Sequence, residues 1–135
     1  MFPKETNILI VDDMSMMRKL VKAQLRDLGF TQIAEAQNGA EALTMIEQQD
    51  SQNTPVQLVL ADWNMPILTG IELLAKLKAS AKFKNLPFII ITAEGEVHQV
   101  TEAIKLGVSS FIRKPFSPES LKEKIEAVSK TVKAA

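Results

Sequence analysis

Short apolar runs alternate with polar, periodic segments along this chain. Residues 7–11 read Asn-Ile-Leu-Ile-Val, and similar runs recur at Val56–Ala61 and Pro87–Thr92. Continuous apolar runs of this length are typical of parallel strands that are covered on both faces. Two weaker strands are predicted at Ile33–Ala36 and Ser110–Arg113.

Between these runs the apolar period lengthens to about 3.6 residues, which indicates helices. The first two helices are predicted over about 15–28 and around 40–47, and the third begins after Gly70. The fourth begins at Val97 and ends at Gly107. The fifth has Ser117 as its N-cap and Pro118 as its first helical residue. The first helix is expected to bury one apolar stripe, made of Met17, Leu20, Val21, Ala23, Leu25 and Leu28, and to end at Gly29.

The alternation of strand and helix predicts an α/β fold. Five strands in this arrangement form a doubly wound parallel sheet with helices on both faces, and ligands bind at the carboxyl ends of the strands. We expect residues 1–135 to form a single domain with its core at about 7–129. The polar segment Gln49–Pro55 is predicted to be a surface loop.

Composition narrows the function classes. Lys and Arg number 16, and so do Asp and Glu, so the formal net charge is zero. This balance argues against a non-specific nucleic-acid binder. The absence of Cys excludes disulfides and thiolate metal sites. With no leader pattern and no apolar run near the ~20 residues of a membrane span, we expect a cytoplasmic protein that does not associate with membranes. The zero net charge and the absence of a zipper pattern favour a monomer.

Polar residues follow or end the predicted strands. Asp12 and Asp13 follow the first strand, Asp62 the third, Thr92 ends the fourth, and Lys114 follows the fifth. In a parallel sheet these ends share one edge, so the five side chains are expected to converge. Each has an ordinary explanation alone, such as helix capping for Asp12-Asp13. One common site explains all five together.

Three neighbouring carboxylates repel one another and favour a bound cation. Oxygen ligands without His or Cys indicate Mg²⁺. Asp13 and Asp62 are predicted as direct ligands, Asp12 as a direct or water-mediated one, and the backbone carbonyl of Asn64 as a further oxygen.

The same Asp62 carboxylate can act as a nucleophile toward phosphorus. Phosphoryl transfer depends chiefly on positioning and charge neutralisation. Lys114 and Mg²⁺ would neutralise the phosphoryl oxygens, and the Thr92 hydroxyl would donate to one of them.

Four motifs carry a resemblance to a known family: Ile-Leu-Ile-Val-Asp-Asp at 8–13, Ala-Asp-Trp-Asn-Met-Pro at 61–66, Ile-Thr-Ala-Glu at 91–94 and Lys-Pro-Phe at 114–116. With these motifs the chain resembles the receiver domains of bacterial response regulators from about Ile8 to Val128. Asn64-Met65-Pro66 after Trp63 is most similar to the single-domain chemotaxis branch.

The resemblance implies a flavodoxin-like strand order, 2-1-3-4-5, and a phosphorylation-activated switch of a two-component system. It implies Asp62 as the phosphoacceptor, Asp12 and Asp13 as the acidic Mg²⁺ pair, and Thr92 and Lys114 as signalling and phosphate-contacting residues. Such a domain is not an enzyme in the usual sense, although it assists its own phosphorylation and dephosphorylation.

Further expectations come from the same resemblance. The Lys114–Pro115 bond is expected to be cis, and Asn64 and Glu94 match positions that tune phosphoryl lifetime. The switch aromatic, usually Tyr in the chemotaxis branch, is Phe111 here, and the loop 49–55 is longer than usual.

The implied partners are a histidine kinase, a flagellar motor-switch protein or other downstream protein, and a phosphatase. With no second domain expected, output would be by protein contact. The implied contact surface comprises helix 4, strand 5 and helix 5, with Val100, Lys105, Phe111 and Lys124 as members.

Other functions stay open at this point. Within the receiver class, the chain could be a phosphorelay intermediate or a phosphate sink. A flavin-binding module shares the sheet topology but needs a phosphate-binding loop where Asp12-Asp13 stand. An Asp-nucleophile phosphatase usually has its nucleophile after the first strand and carries a cap.

Overall fold

The computed structural model describes residues 2–93 and 97–131. Strands and helices alternate throughout this part of the chain. The strands are β1 (Ile8–Val11), β2 (Ile33–Ala36), β3 (Leu58–Asp62), β4 (Phe88–Thr92) and β5 (Ser110–Arg113). The helices are α1 (Ser15–Asp27), α2 (Gly39–Ser51), α3 (Gly70–Lys78), α4 (Val97–Lys105) and α5 (Pro118–Thr131).

The strands form one sheet in the order β2-β1-β3-β4-β5, and every neighbouring pair is parallel. This confirms the predicted fold class and strand order. The central strands β1, β3 and β4 are buried along their whole length. Among the described residues, each helix is too short or too polar to cross a bilayer.

Alternate residues of the central strands enter two different cores, which explains their unbroken apolar runs. Leu9, Val59 and Ile90 pack on the face covered by α2 and α3. Their neighbours Ile10 and Leu60 pack on the other face, against side chains of α1 and α5. A helix layer on each side therefore leaves only the strand ends accessible to a ligand.

Several helix ends lie where the sequence predicted them. Gly29 and Gly107, which come just after α1 and α4, have φ angles of +101° and +86°. Such angles favour glycine because it has no Cβ. The Ser117 hydroxyl accepts a hydrogen bond from the backbone N–H of Ser120 at 3.1 Å, as expected of the N-cap of α5.

The loop prediction for 49–55 was partly wrong. Helix α2 continues to Ser51, and the turn comes at Gln52 and Asn53, where Asn53 has a φ of +63°. Glu, Gln and Asp side chains permit another turn of exposed helix, so polarity alone did not mark its end. Only residues 52–57 connect α2 to β3.

The predicted stripe on α1 was also partly wrong. Leu20 is 49% exposed and Ala23 is exposed, whereas Gln24 is buried beside Val21 and Leu25. Val21 and Leu25 are one helical turn apart and define the contact line with the sheet, so position 24 falls inside the contact. The apolar Leu20 is left at the surface.

Gly70 closes the loop that follows β3. Its N–H donates to the carbonyl of Trp63 at 3.0 Å, and a Cβ at this position would lie 2.3 Å from the carbonyl oxygen of Asp62. The preceding Thr69 forms a reciprocal capping box with Glu72 at the start of α3. The backbone around Asp62 is thus packed directly against the first residue of α3, with no room for a methyl group.

We predict that Gly70→Ala destabilises the protein by about 1–3 kcal/mol, because the added methyl group must displace the backbone at Asp62. Without that collision, Ala would be the better helix former. Urea unfolding measures the change. Gly107→Ala serves as a comparison: among the described residues its new methyl group meets only the Lys78 side chain, at 3.5 Å. Any loss of stability there comes from the positive φ of Gly107, which Gly70 does not share, and not from a collision with the backbone. Unchanged stability in Gly70→Ala would contradict the packing argument.

Candidate functional site

Three carboxylates meet at the carboxyl edge of the sheet. One oxygen from each of Asp12, Asp13 and Asp62 lies within 4.8 Å of the others. Asp62 is the last residue of β3, and Asp12 directly follows β1, its neighbour in the sheet. Asp12 and Asp62 are buried, whereas Asp13 is exposed to solvent. The group therefore has a buried floor and an open side.

Lys114 brings a positive charge to these carboxylates from β5. Its Nζ lies 3.2 Å from Oδ1 of Asp62 and 3.7 Å from Oδ2 of Asp12. The backbone N–H of Lys114 donates to the carbonyl of Thr92 at 2.7 Å, which ties the residue to the end of β4. The Lys114–Pro115 peptide bond is cis, as expected from the resemblance. Thr92 itself is buried at the same edge.

Burial of the carboxylates shifts their pKa values. It raises the pKa of Asp62 to about 6, against the opposing effect of Lys114, and the nearby charge of Asp12 adds to the rise. Burial also raises the pKa of Asp12, while a hydrogen bond from the backbone of Met14 and the charge of Lys114 lower it. The ammonium of Lys114 thus offsets only part of the effect of burial and of the neighbouring carboxylates.

The two carboxylate oxygens of Asp12 differ in their hydrogen bonding. Oδ1 accepts a hydrogen bond from the N–H of Met14 at 2.9 Å, whereas Oδ2 is buried and has no hydrogen-bond partner. A buried carboxylate oxygen without a donor is unfavourable. The group formed by Asp12, Asp13 and Asp62, with oxygen ligands only, fits a hard divalent cation such as Mg²⁺.

The structure also locates the other residues that were named from the sequence. Asn64 is exposed in the loop two residues after Asp62. Phe111 is half-buried on β5, with the Nζ of Lys124 5.0 Å from its ring centroid. Lys105 is exposed near the end of α4. Glu94 and the side chain of Val100 lie outside the described residues.

Sequence reasoning missed Arg18, which contacts the backbone of the site. Its Nη1 donates to the carbonyl oxygen of Asp12 at 2.7 Å, and its Nε donates to Glu35 at 3.2 Å. One signal was available in the sequence. A cation near the N-terminus of a helix opposes the helix dipole, and no acidic residue stands in the first turn of α1. Such a local conflict often marks a functional constraint.

Comparison with known proteins identifies the family. The model of the response regulator receiver domain matches residues 8–126, nearly all of the chain. The chain belongs to this family.

Its relatives within the receiver family include chemotaxis regulators. The chain is 46% identical to the chemotaxis protein CheY of Pseudomonas aeruginosa over 121 residues, which cover 90% of this chain and 94% of the relative. It is 45% identical to the chemotaxis protein CheY-3 of Vibrio cholerae, with 93% and 92% covered.

Solved receiver structures have the same fold. The structure of CheY4 from Vibrio cholerae superposes with a TM-score of 0.78 at 28% identity, covering 92% of this chain and 98% of that one. The receiver domain of NtrX from Brucella abortus superposes with a TM-score of 0.81 at 31% identity, covering 93% and 99%. The predicted family and fold are therefore confirmed.

We predict that Asp62→Asn stabilises the protein at pH 7.5 without divalent cations, by up to about 3 kcal/mol. The pKa of Asp62 is raised from 3.8 to about 6 in the folded state. The folded state therefore binds the proton more tightly than the unfolded chain, and it loses stability as the pH rises through this interval. Urea unfolding between pH 4 and 7.5 should show the difference shrinking toward pH 4.

The matched control for this measurement is Asp27→Asn, which removes an exposed carboxylate at the end of α1, outside the site. This variant measures the effect of losing one carboxylate outside the site, and it should not reproduce the stabilisation at pH 7.5. A wild-type protein more stable than Asp62→Asn at pH 7.5 would contradict the predicted cost of burying the Asp62 charge.

Proposed function

We propose that this chain is a phosphorylation-activated signalling switch of a two-component system, and that it accepts a phosphoryl group from a histidine kinase on Asp62. Asp12, Asp13, Asp62 and the backbone carbonyl of Asn64 are the proposed Mg²⁺ ligands. We further propose that residues 1–135 act as one cytoplasmic domain, which signals by protein contact.

The observation that carries the proposal is the environment of Asp62. Its carboxylate lies beside a lysine ammonium at 3.2 Å and within 4.8 Å of two further carboxylate oxygens. A divalent cation bound by the acidic group and the ammonium of Lys114 would be the two sources of positive charge that phosphoryl transfer needs. The open side at Asp13 gives the phosphodonor access.

The proposed step is an in-line displacement at phosphorus. A carboxylate oxygen of Asp62 forms a bond to phosphorus while the P–N bond of the phosphohistidine breaks, and the electron pair of that bond stays on the imidazole nitrogen. Lys114 neutralises one phosphoryl oxygen, and the Thr92 hydroxyl donates to another. Mg²⁺ at the carboxylates supplies the remaining positive charge.

The proposed donor needs a surface next to Asp62 on which to dock. An apolar groove beside Lys114 is lined by Met17, Leu20, Pro115 and Phe116. Leu20 is 49% exposed and so contributes apolar area to this groove. The groove supports binding of a protein phosphodonor rather than a small phosphate ester alone.

Output is proposed to depend on Thr92 and Phe111. Movement of Thr92 toward the phosphoryl group leaves space that an inward ring can fill, and phosphorylation then favours one of two existing states. The half-buried Phe111 with Lys124 over its ring supports a role for α4, β5 and α5 as the contact surface. A role for Glu94 in phosphoryl lifetime is part of the same proposal.

The names of the relatives favour chemotaxis, with a flagellar motor-switch protein as the proposed target. A phosphorelay intermediate or phosphate sink uses the same chemistry and differs only in its partner. No observation on the site favours a flavin module or a phosphatase. The acidic residues after β1 repel a flavin phosphate, and the proposed nucleophile ends β3 rather than β1.

We predict that acetyl phosphate with Mg²⁺ adds one phosphoryl group to the wild-type chain and none to Asp62→Asn, because the substitution removes the nucleophile. Intact-mass spectrometry at neutral pH measures the adduct, and EDTA should abolish it. Asp27→Asn serves as the control and should be modified like the wild type. If Asp62→Asn were modified at the wild-type rate, Asp62 would not be the acceptor.

We predict that Lys114→Met separates phosphorylation from metal binding. Loss of the ammonium should slow phosphorylation by about 100- to 1,000-fold, because a phosphoryl oxygen loses its partner. The same loss should tighten Mg²⁺ binding, since a positive charge 3.2 Å from Asp62 is removed. Stopped-flow phosphorylation and Mg²⁺ titration measure the two effects. If both the phosphorylation rate and the affinity for Mg²⁺ fell, Lys114 would have a structural role instead.

A further inference from the structure

Arg18 joins the metal-binding turn to the edge strand of the sheet. Its guanidinium bridges two acceptors, the carbonyl oxygen of Asp12 at 2.7 Å and Oε1 of Glu35 on β2 at 3.2 Å. The other carboxylate oxygen of Glu35 accepts from Nζ of Lys22 at 3.3 Å. The side chain of Arg18 is 13% exposed and that of Glu35 is 32% exposed, so the bridge is partly shielded from solvent.

This bridge completes the anchoring of Asp12. The N–H of Asp12 donates to the carbonyl of Ala36 on β2 at 3.1 Å, and its Oδ1 accepts from Met14. Arg18 holds the carbonyl. Only Oδ2 of this residue lacks a hydrogen-bond partner; it is buried, and its nearest positive charge is the ammonium of Lys114 at 3.7 Å. The polar groups around this residue are thus used to fix the direction of one carboxylate oxygen.

Geometry and charge make opposite demands at position 18. A positive charge near three carboxylates weakens the binding of a divalent cation by Coulomb repulsion, even when Glu35 offsets part of it. An arginine that acted only through its charge would therefore be unfavourable for this site. Its two directed hydrogen bonds have the opposite effect, because they orient a ligand before the cation arrives.

We propose that Arg18 is a positioning residue for Mg²⁺ binding, which holds the Asp12 carbonyl against Glu35 so that the Asp12 carboxylate keeps its orientation toward the other two carboxylates. This role rests on the proposed function, because it assumes that the carboxylates bind Mg²⁺. The planar guanidinium is needed to bridge both acceptors, which a lysine ammonium reproduces poorly.

Equilibrium titration with Mg²⁺ tests the proposal without any phosphorylation. The fluorescence of Trp63, the only tryptophan in the sequence and the residue next to Asp62, reports binding. Arg18→Met should raise the Kd for Mg²⁺ by about tenfold, the lower end of the range for partners that orient metal ligands. Arg18→Lys should also raise it, although the charge is kept.

Lys22→Met is the matched control, since Lys22 binds the same Glu35 but makes no contact with Asp12. It removes the same charge and should leave the Kd unchanged or lower it. Glu35→Asp keeps the charge but shortens the side chain that accepts the hydrogen bond from Arg18, so it should raise the Kd. This variant provides a second test if Arg18→Met does not fold, as judged by circular dichroism and thermal unfolding in EDTA.

The outcomes separate the two proposals. If the wild type binds Mg²⁺ and folded Arg18→Met binds it as tightly or more tightly, the positioning role is overturned and the proposed metal site stands. For an unfolded Arg18→Met, an unchanged Kd in Glu35→Asp overturns the role in the same way. If the wild type does not bind Mg²⁺, the proposed metal site fails and the role of Arg18 fails with it.

Discussion

Repulsion among three carboxylates is the constraint on which this site depends. Asp12 and Asp62 are buried, and burial strengthens their repulsion because water no longer screens it. Lys114 offsets part of this cost, and the pKa of Asp62 is still raised, chiefly by burial and further by the charge of Asp12. The protein thus keeps an unfavourable arrangement that binding of a cation would relieve. The proposed phosphoryl chemistry uses this same excess of negative charge to gather positive charge.

The sheet provides the stability that such an arrangement requires. Its three central strands are buried on both faces, and each face has its own apolar core. The order β2-β1-β3 places the ends of β1 and β3 side by side, so Asp12 and Asp62 meet although fifty residues separate them. Ligands bind at such a reversal of strand order because the loops on either side diverge and leave a crevice.

Much of the fold was predictable from the apolar pattern. Strands covered on both faces give continuous apolar runs, and glycines with positive φ marked the ends of α1 and α4. Element bounds on exposed surfaces were less predictable. The end of α2 at Ser51 and the burial of Gln24 on α1 depend on which helix face meets the sheet, and composition does not specify that angle.

The order of residues along the chain was enough to locate the carboxylates, ammonium and hydroxyl at the strand ends and to indicate the family. How these side chains are held could be seen only in the folded protein. Arg18 reaches the Asp12 carbonyl, and Gly70 packs on Asp62, through contacts between separate elements. The ends of the strands can be predicted from apolar runs, because a strand that is buried on both faces must itself consist of apolar residues. A backbone contact depends on how two elements pack, and no local pattern records it.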